Sequence, residues 1–237
     1  MITELTWDSN FFNRKIGELD VSSQSYNQIE TALRKAEAEG FRYLICKIKS
    51  QETELIKFLE SSGFYLTDIG VIWSIETNKF SFAKRKKAGM RKSIKVADNN
   101  DIPRLKEIAK SLFLESRFYS DPFFTKKKAD KFYQAWIENS VKGHKADIVF
   151  CVPDKGFVTC KRSFKNSGEI VLIGIKKDVR GKGIGRALIE EALKWFITQD
   201  IHFVTVRTQL KNLPAMNFYS KMGYSVKEYD IVFAKIL

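Results

Sequence analysis

Between Val171 and Leu188 the chain reads V-L-I-G-I-K-K-D-V-R-G-K-G-I-G-R-A-L. An apolar run enters a turn rich in glycine and cations, and an amphipathic stretch leaves it. Gly181, Gly183 and Gly185 permit unusual φ angles and let a ligand approach bare backbone. If a helix starts here, the amides from Gly181 to Arg186 are its unpaired N-terminal donors, at the end of the dipole that attracts anions. Arg180, Lys182 and Arg186 add formal positive charge. These groups together suit a pyrophosphate. The Walker spacing G-x-x-x-x-G-K-[ST] is absent, and Leu188 stands where a G-x-G-x-x-G pattern needs its last glycine.

The spacing Arg180-x-x-Gly183-x-Gly185 after an apolar strand resembles the acyl-CoA motif of the GNAT acetyltransferases, although Lys177 replaces a frequent proline. Downstream, N-L-P-A-M-N-F-Y-S-K-M-G-Y resembles that family's second motif, with Asn212, Ala215, Tyr219 and Gly223 in register. The resemblance covers residues 95–237. It implies an α/β (α+β) GNAT fold, a central mixed, mostly antiparallel sheet flanked by helices, with acetyl-CoA as cosubstrate and no metal. Backbone groups of Ile173, Gly174 and Ile175 would hold the pantetheine arm, and one free N–H there would polarise the thioester carbonyl. Arg180, Gly181, Lys182, Gly183, Ile184, Gly185 and Arg186 would hold the diphosphate, with Phe218 beside the cofactor. Asn212 would orient the cofactor or cap its own helix. Tyr219 would be the general acid, a phenol of pKa ~10 suited to a departing thiolate. Glu169, Glu115 and Asp121 are candidate bases.

Three further stretches, W-D-S-N-F-F (Trp7–Phe12), S-R-F-Y-S-D-P (Ser116–Pro122) and F-Y-Q-A-W-I-E-N-S (Phe132–Ser140), are similar to the dTDP-fucosamine acetyltransferase family. That resemblance implies a nucleotide-sugar acceptor, dTDP-4-amino-4,6-dideoxyhexose, used for surface polysaccharide. It also implies a reduced N-terminal unit and a homodimer. Arg117, Tyr119, Asp121, Trp136 and Asn139 would form the acceptor pocket, an arginine for the diphosphate and aromatics for a flat ring. Trp7, Asn10 and Phe11 could close it, or simply pack.

Positioning these groups requires two α/β units. In the first, residues 1–78, helices are expected over Tyr26–Glu39 and Thr53–Ser62 and a strand over 41–48. F-Y-L-T-D-I-G-V-I-W-S-I-E reads as two strands. In the second, 95–237, opening on strand 92–97, helices 102–113 and 124–143, a hairpin around Pro153–Gly156, strand 169–175, helix 186–199, strand 202–208, helix 215–222 and a last strand 230–237 follow in order. Sliding residues 41–77 by 160 places them on 201–237 without a gap. Only Phe58/Phe218 and Gly63/Gly223 are identical, so the likeness is one of pattern. Leu59 falls where the second unit has Tyr219.

A net charge of +13 raises nucleic acid as a partner, but eight of those charges lie between Lys79 and Lys95, with no acid among them. Residues 79–94 therefore read as a basic linker, or as an entry for an anionic substrate, and nucleic-acid binding is not expected. No apolar run reaches the ~18 residues of a membrane span, and no secretory signal is evident. Cys46, Cys151 and Cys160 lack metal spacing and read as buried thiols of a cytoplasmic protein. The last strand, lacking a covering segment, could pair across subunits. Rival readings are a GNAT acting on another small-molecule or protein amine, a tandem-GNAT aminoacyl transferase, and an acyl-CoA-binding sensor.

Overall fold

Local signals set most element boundaries. Ser25 starts the helix Tyr26–Ala38 through a reciprocal box: Gln28 N–H donates to Ser25 Oγ at 3.4 Å, and Ser25 N–H donates to Gln28 Oε1 at 2.8 Å. In a computed structural model, residues 1–237 are described except 50, 51, 81, 83–92 and 165. Most of the basic linker expected over 79–94 lies outside the described residues. The helices are α1 (Thr6–Phe12), α2 (Tyr26–Ala38), α3 (Thr53–Ser61), α4 (Ile102–Ala109), α5 (Arg117–Ser120), α6 (Lys126–Val141), α7 (Ile184–Thr198) and α8 (Leu213–Lys221). The strands are β1 (Ile2–Glu4), β2 (Ile16–Leu19), β3 (Tyr43–Ile48), β4 (Tyr65–Glu76), β5 (Lys95–Val96), β6 (Ile148–Val152), β7 (Gly156–Ser163), β8 (Ser167–Ile175), β9 (Phe203–Gln209) and β10 (Ser225–Ile236).

The stretch expected as two strands is one, β4, running through Gly70. That glycine makes no turn. It makes room: a Cβ there would lie 2.0 Å from Arg207 Nη2. The strand expected over 92–97 is paired, among the described residues, only at Lys95–Val96.

The strands form one sheet in the order β1-β2-β3-β10-β4-β9-β8-β7-β6-β5. Two pairs, β2/β3 and β8/β9, are parallel, and the other pairs are antiparallel. The last strand is therefore not free to pair across subunits. β10 is bonded to β3 on one side and β4 on the other, because each unit inserts its final strand into the other.

This insertion follows a two-fold rule. Adding 160 to β4 numbers and subtracting it from β10 numbers maps the β4/β10 ladder onto itself. Val226↔Trp73 becomes Phe233↔Leu66, Ser225↔Ser74 becomes Ala234↔Tyr65, and Gly70↔Asp230 maps onto itself. The rule also sends Ile231↔Ile48 of β10/β3 to Val71↔Thr208 of β4/β9. Each strand carries one unpaired extra residue, Thr67 in β4 and Lys227 in β10, and these too are 160 apart. The following glycine turns agree, with Gly63 at φ +82° and Gly223 at φ +88°. Bulges have little reason to coincide by chance. The two units are thus related by a pseudo-two-fold rule with exchanged final strands.

Helices cover both faces of the sheet. On one face α1, α4, α5 and α6 pack on Ile16, Tyr43, Ile45, Val149, Phe157, Leu172 and Val232. On the other, α7 and α8 pack on Val71, Trp73, Val158, Ile170, Val204 and Val206. There α2 and α3 pack on Leu44, Cys46 and Phe233. Alternation along each strand separates the two sets. All three cysteines are buried and reduced, with thiols that burial pushes up in pKa.

Candidate active site

β8 pairs with β9 only from Ser167↔Phe203 to Ile170↔Val206. Beyond that, β8 stays on β7 up to Ile175↔Gly156, and β9 stays on β4 up to Gln209↔Gly70. The two parallel strands diverge where β8 slips register between Thr159 and Cys160 of its partner. Leu172 N–H donates to Thr159 Oγ1 on β7 at 2.9 Å. Alternation then turns the N–H groups of Ile173 and Ile175 toward the gap. A cavity of about 830 Å³ fills this gap and reaches α1, α5 and α6.

The glycine turn closes one end. Gly181 and Gly183 have φ of +76° and +83°, a left-handed region that disfavours any side chain. Gly183 is the N-cap of α7 and offers no side chain to accept the first-turn amides. Those donors are therefore available to an anion. Arg180, Gly181, Gly183, Ile184, Gly185 and Arg186 line the cavity. Arg180 Nε donates to Ile175 O at 3.2 Å, and Arg186 Nε to the buried Glu190 at 3.0 Å. Lys182 is exposed and off the cavity wall. Gly174 is also off it, because its face admits Leu112 and Phe157, each within 3.0 Å of a built Cβ.

Across the gap, Asn212 caps α8 by accepting from Ala215 N–H at 3.3 Å. Phe218 and Tyr219 follow on that helix and line the cavity with Asn212. The Tyr219 ring, only 3% exposed, packs beside Trp73, Phe218 and Tyr224. Burial raises its pKa, so the phenol keeps its proton.

Arg117 and Trp136 line the cavity, and the other three residues expected with them do not. The Asp121 carboxylate accepts from Tyr43 Oη at 2.6 Å, Tyr65 Oη at 3.2 Å and Phe123 N–H at 2.9 Å. It ties the two units together beneath the pocket. It does not line the cavity, so it is not placed to act as a base there. Tyr119 Oη donates to Asp130 at 2.6 Å. Asn139 donates to Ala135 O at 2.8 Å and faces His144. Of the N-terminal residues, Trp7 lines the cavity, Phe11 packs behind it on Phe132, and Asn10 is exposed.

Glu115 and Glu169 both line the cavity. Burial raises the Glu169 pKa, opposed by Lys161. Sequence reading missed Asp68 and Arg207. The guanidinium donates to Asp68 Oδ2 at 3.3 Å and grips Asp230 with two bonds of 2.6 and 3.1 Å. An arginine amid the apolar V-T-V-R-T strand was the available signal. Burial raises the Asp68 pKa against the pull of Arg207. Asp8, Glu18, Lys47 and Lys145 also line the wall, and nothing local marked them. Among the described residues, no group of three or more His, Cys, Asp or Glu side chains could hold a metal. No helix there is long and apolar enough to cross a membrane.

Residues 109–224 match the model of the Acetyltransferase (GNAT) family. The chain is 26% identical over 231 residues to a dTDP-fucosamine acetyltransferase of Escherichia coli O6:H1, covering 95% of this chain and 94% of that protein. It is 25% identical over 130 residues to the spore coat polysaccharide biosynthesis protein SpsD of Bacillus subtilis, covering 54% of this chain and 45% of that protein. Its fold is similar to a GCN5-related N-acetyltransferase from Sphaerobacter thermophilus, with a TM-score of 0.62 at 12% identity over 99% of this chain and 76% of that one.

Proposed function

The chain carries a GNAT acetyltransferase domain, and from that premise we propose that it moves the acetyl group of acetyl-CoA to the amine of a nucleotide-linked amino sugar. A dTDP-4-amino-4,6-dideoxyhexose, used for surface polysaccharide, is the acceptor proposed. The observation that carries this reading is one continuous cavity with two chemically different halves. One half is a split strand pair ending at an uncapped helix N-terminus, which suits a pantetheine arm and a diphosphate. The other is walled by side chains of both signs, among them Asp8, Lys47, Asp68, Arg117, Lys145 and Glu169. Paired signs suit an acceptor that itself carries an ammonium and phosphates.

In this reading the amides of α7 fix the diphosphate and thereby place the thioester by proximity. The outward N–H of Ile173 or Ile175 donates to the carbonyl oxygen as negative charge develops. Glu169, whose carboxylate makes no hydrogen bond to the described residues, receives the ammonium proton before attack. Its raised pKa brings it closer to neutrality, where a base is most effective. Tyr219 gives a proton to the departing thiolate and regains one from the nitrogen, which sheds its second proton as the amide forms.

The cradle gives a direct prediction. Gly183→Ala forces a side chain to φ +83°, at about 1–2 kcal/mol. The strain is relieved by turning the amides away, so CoA affinity measured by calorimetry is expected to fall about tenfold or more. Unchanged affinity would separate the turn from CoA. The function itself is tested by mixing the protein with acetyl-CoA and a panel of dTDP-amino sugars, with detection of free thiol. Release of thiol with a nucleotide sugar supports the proposal. Release only with a free amine or peptide overturns the acceptor.

A further inference from the structure

Arg117 is poorly served for a buried cation. Its side chain is 14% exposed. It lies against the rings of Phe118 and Phe124, at 4.5 and 5.9 Å. Among the described residues its hydrogen bonding consists of one bond, Nη2 to Asp8 Oδ2 at 3.4 Å. Nη1 is buried with no partner. A guanidinium has five donors, and leaving them unmet in the interior is costly. Arg207 shows how this molecule builds a structural pair, with two bonds to Asp230 and more to Asp68. The Arg117–Asp8 contact is not of that kind.

Two more unmet donors stand beside it. Trp136 Nε1 is buried without a partner and its residue lines the cavity. Lys145 Nζ lies 4.2 Å from the centre of the Trp7 ring, with no carboxylate in ion-pair range among the described residues. Burial lowers the Lys145 pKa, as expected for an ammonium lacking a close anion. Trp7 connects the group: its ring is 5.6 Å from that of Trp136, and Asp8 is its neighbour on α1. Burial raises the Asp8 pKa despite three nearby cations, so this carboxylate is not well stabilised where it sits.

We propose that Arg117, Lys145 and the Trp136 indole N–H form a phosphate-recognition site in the acceptor half, where the Asp8 carboxylate stands in for phosphate until the substrate displaces it. The site rests on the reading of this half as the acceptor's, and deepens it by assigning the acceptor's phosphates to named donors. An aspartate on a short helix can swing out, exposing the guanidinium edge it covers. The indole contributes a hydrogen bond here rather than a stacking face.

The test is calorimetric titration of inorganic pyrophosphate into the full chain with CoA saturating, so that the glycine cradle is already filled. One pyrophosphate per chain is expected. Trp136→Phe keeps the ring packing and should weaken binding about fivefold, the worth of one hydrogen bond. Lys145→Met should weaken it about tenfold, losing a charge-assisted contact. Asp8→Asn should tighten it about threefold or more, because the covered state no longer competes. A counter-ion with a purely structural role predicts the opposite for Asp8→Asn. Absent binding, or weaker binding by Asp8→Asn in a protein with unchanged melting and CoA affinity, overturns the site. Nucleotide-sugar turnover with pyrophosphate binding indifferent to all three changes also overturns it and leaves the proposed function standing. Pyrophosphate binding that responds as expected, without nucleotide-sugar turnover, upholds the site and rejects the function.

Discussion

Replacing Tyr219 with phenylalanine is expected to lower turnover about 100-fold, within the range for loss of a general acid, while acetyl-CoA affinity stays within about twofold. The hydroxyl is the only group removed. The ring keeps its packing against Trp73, Phe218 and Tyr224, and the hydroxyl makes no hydrogen bond to the described residues, so folding has little to lose. Burial holds the phenol neutral, and the same burial penalises a departing thiolate that has no proton donor. Steady-state kinetics with thiol detection, alongside CoA titration, separates the two parameters. Turnover equal to the parent removes Tyr219 from the mechanism. A parallel fall in CoA affinity would make it a binding residue instead.

The second large effect is on folding. A fragment of residues 93–237 contains both family motifs but lacks β3 and β4, and it is expected to show no cooperative thermal transition and no CoA binding. β10 pairs with β3 and β4, so in the fragment it has no partner at all. β9 loses the strand that bonds it from Phe203 to Gln209. Val71, Trp73 and Ile75 leave the core that carries Tyr219 and the α7 helix. Each such side chain contributes about 1.5–3 kcal/mol of burial, and the total stability of a domain is only about 5–15 kcal/mol. Circular dichroism melts and amide exchange would measure this. Co-expression of residues 1–80 with 93–237 should restore the transition, because the missing strands return. A fragment that melts cooperatively alone would contradict the exchanged-strand architecture.

Much of the local structure was written in short-range pattern. The capping box at Ser25, the apolar face Ile29–Leu33–Ala36 and the glycine stops at 40, 63 and 223 act over a turn or two of chain. So does the cradle: its donors are consecutive amides, and three glycines with an apolar strand before them are enough to announce it. Tyr219 and Asn212 were legible through the second motif on one short helix. Gly70 was not, since a glycine in a strand is ambiguous until the side chain facing it is known, here Arg207.

The charged half of the cavity belongs to the tertiary structure. Its wall draws Asp8 from α1, Lys47 from β3, Asp68 from β4, Arg117 from α5, Trp136 from α6 and Arg207 from β9. No pattern within a single element could predict that set, nor that Tyr119, Asp121 and Asn139 would be spent on scaffolding bonds instead. The same holds for the internal pseudo-symmetry, faint at two identities yet plain in matched registers and bulges. The physical reason is range. Backbone propensity and capping depend on neighbours a few residues away, so a linear chain displays them. Which charges share a cavity depends on how strands distant in sequence are ordered, and hydrogen-bond pairing sets that order only once the whole sheet has closed.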